Sequence, residues 1–123
     1  MNPQDKNRNI YIEKAKFQFE QKNNFLSAVF FIDTYNQFIH FQPNAVPISP
    51  NEIFLEFEES EYIKALEKSR DLLTKTAYVG AAIWNYNDSM TVEGAKERMR
   101  TEYPGFSEEC YKAAESHSMQ QMR

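Results

Sequence analysis

The sequence predicts an all-α fold: a single domain over residues 1–123, with about five helices around a long central helix at 61–86. Three observations predict it. Apolar residues recur at alternating three- and four-residue steps over long spans, as a helix buried along one face requires. Cap residues mark helix starts, most clearly in SPNE at 49–52. Glycine occurs only three times, which disfavours turn-rich sandwiches and barrels. The fallback is an α+β fold in which residues 9–41 form a small sheet.

Asn2-Pro3 reads as a helix start for residues 3–22, yet IYI and KFQFEQ alternate as a strand would, so helix and strand both stay open over 9–22. Residues 24–41 read as a helix capped by Asn24. Phe25, Ala28, Ile32, Tyr35 and Ile39 keep the stepping, and Val29, Phe30, Phe31, Phe38 and Phe41 widen the face. A β-hairpin, with AVFFI and FIHF around DTYNQ, competes; the length of the stepping favours the helix. QPNAVPISP, residues 42–50, is the long connector. Ser49 then caps, Pro50 takes the first helical position and Glu52 completes a capping box, which predicts a short helix at 50–58.

In 61–86, Ile63, Leu66, Leu73, Ala77, Gly80 and Trp84 form one stripe, with Arg70 its polar member. Tyr62, Ala65, Leu72, Val79, Ile83 and Tyr86 form a neighbouring one. Such a helix would be about 39 Å long, and its small residues Ala77, Gly80 and Ala81 would admit a close neighbour. Thr91 caps a further helix with Val92, Ala95, Met99 and Tyr103 on one face, and Pro104-Gly105 stops it. Ser107 caps the last helix, about 108–121, with Glu108 and Glu109 well placed against its dipole and Phe106 and Tyr111 at staple positions. Cys110, Tyr111, Ala114, Met119 and Met122 make its modest apolar face.

The net charge of −4 and pI near 5.2 imply no general attraction to nucleic acid or anionic membrane. The last two helices could be drawn as a helix–turn–helix, but the second opens with two glutamates and carries Lys112 as its only basic residue before Arg123. Cys110 is the only cysteine, which excludes an intramolecular disulfide and zinc sites built on several cysteines. The opening MNPQDKNRNIY lacks the apolar core of a secretory signal, and no apolar run approaches membrane-spanning length, so a cytoplasmic protein is expected.

Four residues could carry chemistry. Asp33 and His40 lie seven apart on the predicted helix 24–41, about 10.5 Å along its axis, too far for an acid–base pair; with Gln37 they are expected to form a solvent-facing stripe. In a hairpin they would instead lie opposite each other. Cys110 and His117 are likewise two turns apart on one helix, beyond the roughly 3 Å that a nucleophile and its base require. A lone cysteine is expected to be a small buried residue. No Glu-x-x-His motif, glycine-rich phosphate loop or Ser–His–Asp pattern is present.

The run NEIFLEFEESE is different. Glu52, Glu56, Glu58, Glu59 and Glu61 come with no positive charge, and Phe54, Phe57 and Tyr62 interleave them. As a bland feature this is a solvated face with acids at a helix start; with exposed aromatics it becomes a docking surface. The expectation is therefore a non-enzymatic interaction or regulatory protein, with no cofactor and no metal. It is expected to self-associate, with face 77–86 or helix 24–41 in a homodimer contact. An acidic inhibitor or immunity-type protein that binds a basic partner through Glu52–Glu61 is the alternative, and a small-ligand or enzymatic protein using Asp33, His40, Cys110 or His117 is the third. No named family emerges from these residues.

Overall fold

A computed structural model describes residues 3–39, 42–84 and 91–121. It is all-helical, and no strand occurs among the described residues. Six α-helices are seen there: α1 (Pro3–Glu20), α2 (Phe25–Phe38), α3 (Glu59–Thr74), α4 (Ala77–Ile83), α5 (Val92–Glu102) and α6 (Glu108–Gln121), with a single 3₁₀ turn at Pro50–Glu52. Both strand readings in the N-terminal third are therefore overturned. IYI and all of KFQFEQ but Gln21 lie within α1, and DTYNQ lies within α2. No helix is long and apolar enough to cross a membrane among these residues. The chain divides into two compact units, Met1–Ser69 and Arg70–Arg123.

The first unit is organised on α2. Its sequence is apolar nearly all round, and Ser27 through Asp33 and Tyr35 are all buried. The side chain of Asn24 caps it by accepting the Ser27 N–H at 2.9 Å. Complete burial of Val29, Phe30 and Ile32 stabilises the fold by about 1.5–3 kcal/mol each. Helix α1 packs back against α2 through a short turn in which Asn23 takes a left-handed φ of 49°, a conformation asparagine tolerates better than most residues. Tyr11 lies 5.5 Å from Tyr35 and 6.4 Å from Phe31, ring to ring. Ala15 and Gln18 complete the buried side of α1.

The connector 42–50 lies within this unit and is tied to it. Asn36 pairs with Ile48 as a second backbone would: Ile48 N–H donates to Asn36 Oδ1 at 2.8 Å, and Asn36 Nδ2 donates to the Ile48 carbonyl at 3.1 Å. The helix expected at 50–58 is reduced to the 3₁₀ turn. Ile53 and Phe54, which follow the turn, are both buried. Continuing the helix would also set Glu52 above Glu56, a repulsive spacing.

In the second unit α4 packs on both α5 and α6. The expected continuous helix 61–86 is broken here: α3 ends at Thr74 and α4 starts at Ala77. Two threonines explain the break. Thr74 Oγ1 donates to the Arg70 carbonyl and Thr76 Oγ1 to that of Leu72, each at 2.7 Å. Such back-bonding competes with the backbone ladder and bends helices, and burial of Thr76 fixes the bend in place. The buried residues of α3 come from both expected stripes, Ala65 and Leu72 from the second and Leu73 from the first, together with Ser69, while Ile63 of the first is exposed. Tyr86 of that second stripe lies outside the described residues.

The C-terminal starts and stops form where their signals stand. Thr91 Oγ1 accepts the Gly94 N–H at 3.0 Å, Gly105 takes a left-handed φ of 96°, and the Ser107 carbonyl accepts the Cys110 and Tyr111 N–H groups in the first turn of α6. Phe106 and Tyr111 meet edge to face at 6.0 Å as the staple requires, and the Tyr111 hydroxyl donates to the Tyr103 carbonyl at 2.7 Å. Gly80 is where α4 meets α6. A Cβ there would sit 2.6 Å from the Ser118 carbonyl carbon and still closer to its oxygen.

Gly80→Ala tests that approach. Alanine adds about 1 kcal/mol of helix propensity, but overpacking costs about 1–3 kcal/mol and the obstacle is backbone. Thermal unfolding is expected at a lower temperature than in the parent chain; an equal or higher midpoint would refute the close contact.

Candidate functional site

The acid-aromatic segment 46–62 is built outward from two anchors. The first is Phe54, 1% exposed. Its ring sits 4.7 Å from Phe19 of α1 and 4.7 Å from Phe25 of α2. Phe57 follows at 6.1 Å, and Tyr62 of α3 lies 5.5 Å beyond Phe57. Aromatic pairs of this kind add about 0.5–1.5 kcal/mol each beyond burial.

The second anchor is Arg8. From α1 its Nε donates to the Val46 carbonyl and its Nη2 to that of Pro47, both at 3.1 Å. Nη2 also reaches both Glu52 oxygens, at 2.7 and 2.6 Å. Glu52 Oε2 in turn accepts the Ser49 N–H at 2.8 Å, so the acidic half of the capping box is present. Partial burial works against the Glu52 carboxylate; the hydrogen bonds from Arg8 and Ser49 and the nearby positive charge outweigh it and hold the carboxyl below its ordinary value.

Just past these anchors the chain turns outward. Leu55 is fully exposed, and Glu56, Glu58, Glu59 and Glu61 are exposed around it. The segment thus sorts its residues: Phe54 faces inward, Glu52 is held by Arg8, Phe57 and Tyr62 are half-buried, and Leu55 with four carboxylates meets solvent. Of these, Leu55 and Arg8 were not among the residues singled out from sequence. A leucine beside a phenylalanine carries no mark of which one turns outward, and Arg8 is separated from Glu52 by 44 positions.

The polar candidates fall elsewhere. Asp33 is buried on α2 rather than facing solvent, while Gln37 is exposed; the expected wet stripe is corrected, because α2 is enclosed on nearly every side and its i+4 neighbour lies near its open end. Burial, and secondarily the Asp33 charge, push the Tyr62 hydroxyl up to about 12, so it stays protonated at neutral pH. His40 lies outside the described residues. Cys110 is wholly buried, with the Ser107 hydroxyl donating to its sulfur at 3.5 Å; a buried thiol beside a hydroxyl is not an activated nucleophile. His117 is half-buried two turns along the same helix. Among the described residues no group of three His, Cys, Asp or Glu could hold a metal ion. Comparison with protein-family models, curated proteins and solved structures finds no match.

Two outcomes follow. Phe54→Ala is expected to destabilise by about 3–5 kcal/mol, whereas Leu55→Ala should stay within about 0.5 kcal/mol; chemical denaturation reads both, and equal losses would refute the inward–outward sorting. For Glu52, a lowered folded-state value means stability that is present above the ordinary value of 4.5 and lost as pH falls through the lowered one. Acid unfolding of Glu52→Gln should therefore lose part of the parent's stability drop below that pH. Arg8→Ala should cost about 1–2 kcal/mol at neutral pH, and a pH profile unchanged by either variant would refute the clamp.

Proposed function

We propose that this protein is a non-enzymatic interaction module that docks the exposed turn around Leu55 onto a basic, apolar-centred protein surface. The single observation that carries this is a fully exposed leucine that follows a wholly buried phenylalanine and precedes four exposed carboxylates within six residues. An isolated exposed leucine is ordinary. This one is held out by two anchors just before it, Phe54 and the Arg8–Glu52 pair, and by half-buried Phe57 two residues after it. A presented side chain of that kind loses little freedom on binding. The carboxylates supply steering and selectivity against acidic surfaces, and make association salt-sensitive. The same chemistry suits an inhibitor of a basic protein and a regulatory adaptor.

Affinity capture from cell extract tests it, with the parent chain, Leu55→Ser, the double reversal Glu58→Lys/Glu59→Lys, and Ile63→Ser as bait. A protein should be held by the parent and by Ile63→Ser, lost by the other two, and released as salt rises. Capture unchanged by Leu55→Ser would refute the reading.

A further inference from the structure

We propose that the face of α1 and α2 beneath the connector is a binding site for an extended peptide segment of another protein, and that residues 46–52 of this chain occupy it as a built-in competitor. The connector is extended for reasons of its own sequence. A residue before proline is driven out of helical backbone, and Val46 precedes Pro47 as Ser49 precedes Pro50. Ser49 accordingly has φ −87° and ψ 144°. A segment of this kind offers its main chain to a neighbour, and the two helices read it through side chains. Arg8 donates to the Val46 and Pro47 carbonyls. The Asn36 carboxamide takes both the N–H and the carbonyl of Ile48. One side chain is inserted: Ile48 is 2% exposed, against 61% for Val46, while Pro47 and Ser49 are exposed beside it. Further along, the Glu52 carboxylate closes on Arg8.

Proteins that capture foreign strands divide the work in the same way. Main-chain hydrogen bonds give affinity whatever the sequence, and a pocket for a side chain gives selection. The contacts therefore state the ligand's chemistry: an aliphatic side chain for the Ile48 pocket, extended backbone on either side of it, and an acid four residues on for Arg8. The tether gives residues 46–52 their advantage. A covalently linked segment acts at an effective concentration of about millimolar order, so a free peptide of equal fit is held off while the chain's own segment is intact. Exchange also takes Glu52 off Arg8. A bound rival then removes one anchor of the Leu55 turn, and the Phe54 ring between Phe19 and Phe25 keeps the other.

Fluorescence anisotropy on the full chain tests this with a labelled peptide of residues 45–52, AVPISPNE, acetylated and amidated at its ends. Ile48→Asp expels the chain's own segment and opens the site; Ile48→Ala opens it less. The aspartate variant should bind the peptide at least about tenfold more tightly than the parent, with the alanine variant between them. Asn36→Ala in the opened chain should weaken that binding about tenfold, and a peptide carrying Ile48→Asp should not bind. The peptide should also raise the thermal midpoint of the opened chain and leave that of the parent unchanged. Helix content by circular dichroism must match the parent, and if the aspartate variant does not fold, the alanine variant must still bind more tightly than the parent. A parent that binds as well as the opened chains, opened chains that fold and do not bind, or binding indifferent to Asn36 overturns the proposal. So does a parent that sediments as a dimer and is returned to a monomer by the peptide, because the occupant would then be a second copy of this chain.

Discussion

The Phe54 ring fills the space between Phe19 of α1 and Phe25 of α2, and the conformation of the acidic segment depends on it. A side chain buried to that extent sets the direction of its own Cα–Cβ bond. The next residue leaves the turn pointing elsewhere, which is why Leu55 is outside. The Arg8–Glu52 pair holds the chain two residues before that ring, with the Ser49 N–H as a third member. Neither anchor suffices alone. A ring without the clamp would leave 46–52 to swing, and an ion pair so near the surface is worth about 1 kcal/mol or less without the hydrogen bonds around it.

The features legible in the sequence are the local ones. Thr91, Pro104-Gly105, Ser107 and the Phe106/Tyr111 staple act within a few residues of themselves, so their meaning does not wait for tertiary structure. Asn24 belongs with them. The break at Lys75–Thr76 was not legible, because threonine within an apolar stretch carries only a weak helix penalty. What ends the helix is the choice of two hydroxyls to bond carbonyls four residues back. Nor does periodicity say which members of the two stripes are covered: Ala65, Leu72 and Leu73 are, and Ile63 is not. Gly80 lies between: its smallness announces a close neighbour, and only the fold identifies the Ser118 backbone as that neighbour.

The candidate site was legible as a region and not as roles. Charge and aromatic content single out 52–62, but periodicity cannot sort it, since most of it is not a helix. Asp33 shows the same limit from the other side. A charged residue is rarely buried, and that expectation fails when a helix is enclosed all round.

A single leucine and a few carboxylates make a small contact. Burial of one leucine contributes about 1.5–3 kcal/mol, and exposed charge pairs add fractions of a kcal/mol each. The ordering entropy of joining two bodies is larger than either term. What tips the balance is preparation of the donor. The anchors at Phe54 and Glu52 have already fixed the turn during folding, so docking need not order it again. A contact of that size remains weak, so it responds steeply to salt and to the concentration of whatever surface receives it.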